Sequence, residues 1–220
     1  MSYHRCRWVS DYATSSGSIL RSRGLVFGAA LLMLVAGCSS QSSSSQPTPQ
    51  FQCTPGPVNL GETAPPPHDC DRQAYEKDQE RLKLEKQALD LFKNFSLKYH
   101  HEMVKGGSET LPPQLEEYLA DPAKGSVQRL LAKQKQVGGT VRGEDPKVTM
   151  RVIPNPHQDG SEVALKTCTD LRRSAMYRPD GTKLNDGLVN VETQLLKRYP
   201  DGRMRLFYSD GEEEDSCPFE

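Results

Sequence analysis

The chain has 220 residues, of which 35% are hydrophobic and 26% charged, enough for one modest core with tails. Lys and Arg number 28 against 29 Asp and Glu. That balance lacks the basic excess of a nucleic-acid-binding domain, so no nucleic acid is expected as a partner. Sixteen prolines, 17 glycines and a mean hydropathy of −0.68 point to a chain that is not packed throughout.

In chain order, the first feature is Arg21-Ser-Arg-Gly followed by the apolar run Leu25–Val35 and the small residues Ala36-Gly37 before Cys38. A positive segment, a short apolar run and small residues at a cleavage point have the layout of an export signal. The run is about 12 residues, against roughly 20 needed to span a bilayer as a helix. Leu34-Val35-Ala36-Gly37-Cys38 is similar to the lipobox of bacterial lipoproteins. That resemblance implies a diacylglycerol on the Cys38 thiol and cleavage before it, so residues 1–37 are expected to be signal peptide. Acyl chains bind a bilayer by about 0.8 kcal/mol per buried CH₂, so the lipid would tether the chain to a cell membrane on its extracytoplasmic face. Met1–Leu20 is a long lead-in to such a signal, consistent with a later true start; it is set aside together with Cys6. Removing residues 1–37 takes away Arg5, Arg7, Arg21, Arg23 and Asp11 and leaves 24 basic and 28 acidic side chains, a formal −4. The charge then gives no general attraction to anionic lipid, and the lipid itself must do the anchoring.

Residues 38–69 are predicted to be a disordered tether. Six of residues 39–45 are Ser, seven prolines follow between Pro47 and Pro67, and Glu62 is the one charged side chain from 39 to 68. Such a stretch buries too little to offset its ordering entropy.

Cys53, Cys70, Cys168 and Cys217 follow Cys38. An even number in an exported chain favours disulfides, and four cysteines allow three pairings. The pairing adopted is Cys53–Cys70 and Cys168–Cys217, worth roughly 3 and 4 kcal/mol by loop closure. The competing reading groups Cys53, His68 and Cys70 with His100-His101 around a metal, but no Cys-x-x-Cys pair occurs and the spacing matches no zinc module. No metal and no cofactor is expected.

Residues 70–220 are predicted to be one folded α+β domain. Leu84, Ala88, Leu91, Phe92, Phe95, Tyr99 and Met103 recur at three and four residues, predicting a helix over 71–105 that stops at Gly106-Gly107. Its part before Lys83 lacks core residues and is expected to project or fray. Pro112-Pro113 opens a short helix. Asp121-Pro122 reads as an N-cap and first helical residue of a third, with Val127, Leu130 and Leu131 inward. After Gly138-Gly139 the period becomes two. Strands are predicted over 147–153, over 161–168 with continuation to Tyr177, over 188–199 and over 203–208. Turns fall at Pro179–Thr182 and Pro200–Gly202. Helices before strands mean α+β, here as helices on an antiparallel meander of four to five strands.

That order, with Leu115-Glu-Glu-Tyr-Leu119, Val163-Ala164-Leu165 leading into Cys168-Thr169-Asp170, and a closing Cys217, resembles small exported actinobacterial lipoproteins carrying a nuclear transport factor 2-like (SnoaL-like) cone. The resemblance implies a curved sheet whose concave side could take a small apolar ligand or an envelope protein, without turnover. The same cone shape is found in ketosteroid isomerase and limonene epoxide hydrolase. These use carboxylates and tyrosines in apolar pockets, which makes an isomerase- or hydrolase-type enzyme the alternative. The candidates for that chemistry are Asp170 and Tyr177, with Tyr99, His100 and His101 at the end of the long helix. Against it, Asp170 can simply pair with Arg172 or Arg173. A structural module, including a homodimer, is the third reading. The acidic run Glu212–Asp215 lacks the ligand spacing of a calcium loop and is read as a solvated turn.

Overall fold

A computed structural model describes residues 50–219. The expected signal segment, the expected lipidation site Cys38 and the first part of the expected tether lie outside the described residues. Among the described residues no helix is long and apolar enough to cross a membrane.

The described chain is α+β, with three helices and antiparallel sheets. Strands β1 (Phe51–Cys53) and β2 (His68–Cys70) form a small ribbon. Helix α1 (Arg72–Val104) follows, then α2 (Pro113–Glu116) and α3 (Ala123–Val137). Strands β4 (Lys147–Ile153), β5 (Val163–Asp170), β8 (Val189–Arg198) and β9 (Met204–Glu214) make a four-stranded sheet in the order β4-β5-β8-β9. Strands β3 (Thr140–Gly143), β6 (Ser174–Tyr177) and β7 (Lys183–Asp186) make a second sheet in the order β3-β6-β7.

Helix α1 is positioned by its ends and its stripe. The Asp71 side chain accepts from the Ala74 N–H at 2.8 Å, capping the first turn. At the other end Gly107 N–H returns to Glu102 O at 2.9 Å, with Gly106 and Gly107 at φ +94° and +75°. A Cβ on Gly107 would sit 2.3 Å from the Leu131 carbonyl, so glycine lets α1 end against α3. The buried Gln134 locks the same junction, its Nε2 donating to Met103 O at 2.6 Å and Gly139 O at 2.9 Å.

Between the ends, Ala88, Phe92 and Phe95 pack with Leu115, Leu119, Leu131, Val163, Leu165, Leu196, Met204 and Leu206 in one continuous core. The cross-strand register Val163↔Leu196 and Leu196↔Leu206 puts the sheet's share of that core on one face. The opposite face is apolar too. Ala164, Leu195 and Phe207 are buried there, and Cys168, Val189 and Val191 are covered by Cys217 and Phe219 of the C-terminal tail, which the Cys168–Cys217 disulfide holds in place.

Four local expectations are corrected. The ordered chain begins well before residue 70: β1 pairs with β2, Cys53 is bonded to Cys70, and the Phe51 ring lies 5.1 Å from the Tyr75 ring. Residues 51–70 therefore form a closed strap on the first turns of α1. Those turns do not project as the sequence led us to expect. Asp78 is buried beneath the strap, accepting from the Thr54 N–H at 2.8 Å and from the Arg81 guanidinium, while Arg81 Nη2 also donates to Thr54 O at 2.9 Å. Asp121 is not an N-cap: the Asp121-Pro122 bond is cis, Pro122 takes the cap position, and α3 begins at Ala123. Leu130 is 54% exposed, because the inward phase of α3 is set by Ala123, Leu131 and Gln134.

The largest departure is in the strand expected to run to Tyr177. The chain bends at Leu171–Arg173, so β5 and β6 fall in different sheets. Leu171 N–H pairs with Leu188 O and Gly187 N–H with Ser174 O, at 2.9 Å each. β5–β6 and β7–β8 are thus the two arms of one long hairpin, bent at its middle and closed at the turn before Lys183. A Cβ on Gly187 would meet the Leu171 carbonyl at 1.7 Å, so the bend requires glycine there.

Asp78→Ala should cost about 1–3 kcal/mol by leaving the strap's Thr54 N–H unpaired. Burial pushes the Asp78 carboxyl up, but the Thr54 N–H and the Arg81 guanidinium outweigh it and hold it below the ordinary carboxylate value. A lowered folded-state value gives stability that is present above the ordinary range and lost as pH falls. Denaturation of wild type and variant at pH 7 and near pH 3 should therefore show a gap that narrows in acid. A gap that widens would overturn the assignment.

Candidate functional site

Asp170 ends β5, and its carboxylate folds back on the bend. It accepts from the Arg172 backbone N–H at 3.0 Å, from Arg172 Nε at 3.0 Å and from Nη2 at 2.7 Å. Arg172 Nη1 reaches on to Asp215 O at 3.2 Å. The Arg172 guanidinium and then its backbone N–H bring the Asp170 carboxyl down to about 2. That is the reverse of what a general acid or base near neutral pH needs. The register Asp170↔Val189 and Cys168↔Val191 also turns Asp170 to the face away from α1. Asp170 is a structural anchor of the bend.

Tyr177 lies in the other sheet, opposite Thr140, with the Arg142 guanidinium 5.2 Å from its ring centroid. It borders an open cleft of about 480 Å³ that Arg172 and Arg173 also line. Asp170 and Tyr177 are therefore not brought together in an apolar chamber. The space between α1 and the sheet is filled by side chains: Leu115, Leu131, Leu165 and Leu196 are all 0% exposed.

The two histidines diverge. His100 is buried, with Nε2 3.6 Å from Asp145 Oδ1, while His101 is exposed. Burial lowers the His100 ring's affinity for a proton; Asp145 opposes this and His101 adds to it. Among the described residues no group of three metal-ligating side chains converges. Cys53 and Cys70, two members of the competing metal set, are consumed in their disulfide.

The functional-looking cluster that sequence reasoning missed lies on the α1-facing side of β8. Glu192 and Gln194 follow Leu196 in phase, and their partners across β5 are Thr167 and Leu165. Gln194, 1% exposed, donates through Nε2 to Glu192 Oε2 at 3.1 Å and, more weakly, to Thr167 Oγ1 at 3.4 Å. Ser209 Oγ donates to Glu192 Oε1 at 3.3 Å. Gln194 Oε1 is buried without a partner. Burial raises the Glu192 carboxyl above its ordinary value against the pull of Ser209, Gln194 and Lys166. Tyr99 on α1 is pushed up to about 12 by burial, with the Glu192 charge adding to the shift. The signal was present: strict alternation puts Glu192 and Gln194 in core phase, where polar residues are expensive. Thr193 and the adjacent Leu195-Leu196 pair hid it, because both faces of β8 carry apolar residues.

Comparison with known protein families, with characterised proteins and with solved structures finds no match to this chain. Function must therefore be argued from the residues.

Glu192→Gln should stabilise the protein at pH 7 by about 1 kcal/mol, since it removes a half-buried charge and offers the orphaned Gln194 Oε1 a donor. A raised folded-state value makes wild type relatively most stable when Glu192 is protonated, and that advantage is lost as pH rises through it. Thermal melts from pH 4 to pH 8 should show the variant's gain growing with pH. A variant less stable than wild type at pH 7 would show that the ionised carboxylate is well paired.

Proposed function

We propose that the chain is a lipid-anchored lipoprotein, displayed on the extracytoplasmic face of a cell membrane, whose folded domain binds a partner without turnover. The observation that carries this reading is the run Leu34-Val35-Ala36-Gly37-Cys38 directly after an apolar segment and directly before a Ser-rich stretch. Two disulfides downstream support it, because such bonds persist in oxidising compartments. In this reading the domain is of the type carried by small exported actinobacterial lipoproteins with a SnoaL-like cone, as the sequence resemblance implies. In that reading α1 lies along the concave side of the four-stranded sheet.

Two features favour binding over catalysis. The interior where a cone enzyme would hold substrate is closed by Phe92, Phe95 and the buried leucines. Asp170, the carboxylate proposed for acid–base work, is committed to Arg172. Recognition then falls to outer surfaces. Exposed apolar side chains on the helices, Leu97, Val104, Leu130 and Val137, are separate features of those surfaces.

The test is metabolic labelling with an alkyne-tagged fatty acid in a lipoprotein-processing host. Wild type should carry the label in the membrane fraction. Cys38→Ala should be unlabelled and retain its signal segment. Label that persists in Cys38→Ala, or wild type without label, would overturn the anchor.

A further inference from the structure

The bend in the long hairpin gathers positive charge that the sequence leaves scattered. Arg142 comes from β3, Arg172 and Arg173 from the bend, and Lys183 from β7. The pairs Arg142↔Ala175 and Tyr177↔Lys183 place Arg142, Tyr177 and Lys183 on one face of the β3-β6-β7 sheet. All four cations line the same open cleft of about 480 Å³. A mature chain of formal charge −4 has no general attraction for anions. This concentration is therefore local, and it is built by the fold.

The four cations are held in different ways. Arg172 is held by Asp170 and by the Asp215 carbonyl, and it forms one wall of the cleft. The Arg142 guanidinium carbon lies over the Tyr177 ring, 5.2 Å from its centroid, and no carboxylate among the described residues bonds to it. Its guanidinium edge is thus preorganised without being neutralised. Arg173 pairs with Glu144 at 2.9 Å, where the side chains are 80% and 66% exposed. Lys183 pairs with Asp186, also at the surface. Exposed pairs of this kind hold by about 0–1 kcal/mol, so an incoming anion can displace their carboxylates. A phosphate group offers tetrahedrally arranged, multiply accepting oxygens, two of which the planar guanidinium fork of Arg142 or of Arg173 can meet at once.

We infer that the cleft at the hairpin bend, lined by Arg142, Arg172, Arg173 and Lys183 around Tyr177, is a binding site for a phosphate group. The group is either free or carried on a lipid headgroup. The site stands whether or not Cys38 is acylated. It differs from the apolar concave pocket implied by the family resemblance in both place and chemistry. Arg172 positions the wall, Arg142 and Arg173 bind the phosphate oxygens, and Lys183 adds a point charge at the rim.

The test uses the full chain carrying Cys38→Ala, which has no acyl anchor but keeps the apolar signal segment, so vesicle binding is read as the difference between the parent and variants that share that segment. Inorganic phosphate is titrated by calorimetry, and flotation is compared on vesicles of phosphatidylglycerol and of phosphatidylcholine. Phosphate should bind, and the double variant Arg142→Gln/Arg173→Gln should bind at least about tenfold more weakly. Both side chains are exposed, so melting temperature should stay near that of the parent. The charge-matched control Arg129→Gln/Lys133→Gln on α3 should bind as the parent does. Phosphate binding without a preference for phosphatidylglycerol assigns the site to a free phosphate. A phosphatidylglycerol preference that the double variant loses and the control keeps assigns it to a headgroup. Absence of binding to both probes, or equal loss in the double variant and the control, overturns the site.

Discussion

The structure depends on one apolar contact, the stripe Ala88, Phe92 and Phe95 of α1 laid on Leu165, Leu196 and Leu206 of the sheet. Each buried side chain of that size contributes about 1.5–3 kcal/mol, and the stripe is short relative to a helix of 33 residues. The first turns of α1 lie beyond it and are held by other means. The Cys53–Cys70 strap supplies a covering layer, and Asp78 with Arg81 supplies the polar contacts that fix it. At the far face of the sheet the same logic recurs. The tail residue Phe219 covers Val189 and Val191 because Cys217 is bonded to Cys168. Each disulfide thus extends a small core at an edge that packing alone would leave open, the expected use of such bonds in a domain with little apolar material.

The filled interior decides where function can reside. Leucine side chains occupy the α1-facing side of the sheet at one end, and the network of Thr167, Glu192, Gln194 and Ser209 occupies its continuation. That network is incompletely satisfied at the buried Gln194 Oε1, and it reaches solvent only through the half-buried Glu192 and the exposed Ser209. What remains accessible is the outer surface. There the bend of the hairpin brings cationic side chains from three segments, Arg142 of β3, Arg172 and Arg173 of the bend and Lys183 of β7, around one cleft. The bend exists because Gly187 lets two backbones approach where any side chain would collide.

Much of this was legible in the residues. The helix over 71–105, its glycine stop, the α+β order and the strand over 147–153 follow from spacing and punctuation. The bend at Leu171 did not, since alternation continues through Ser174–Tyr177 and nothing local marks a change of sheet; the reason is the long-range approach of Gly187. The strap was hidden for a related reason. A Pro-rich stretch without charge reads as tether, and only the disulfide and the distant Asp78 give it a place to lie. The sequence shows the strand position of Asp170, which suits an acid or base, but not its pairing. Yet Arg172 stands two residues away, and that spacing is what an Asp closing a bend through its own backbone requires. The phase of Glu192 is blurred in the sequence by apolar neighbours on both faces of β8.

In the proposed reading, an export signal, a lipid on Cys38 and a domain braced by two disulfides belong to one design for the outside of a membrane. The most direct measurement of that claim is the intact mass of the protein extracted from membranes of its native cells, with and without reduction. The expected result is a chain beginning at Cys38 with the added mass of acyl groups, gaining on reduction the hydrogens of two disulfides. A chain that keeps residues 1–37 and carries free thiols at Cys53, Cys70, Cys168 and Cys217 would contradict the account.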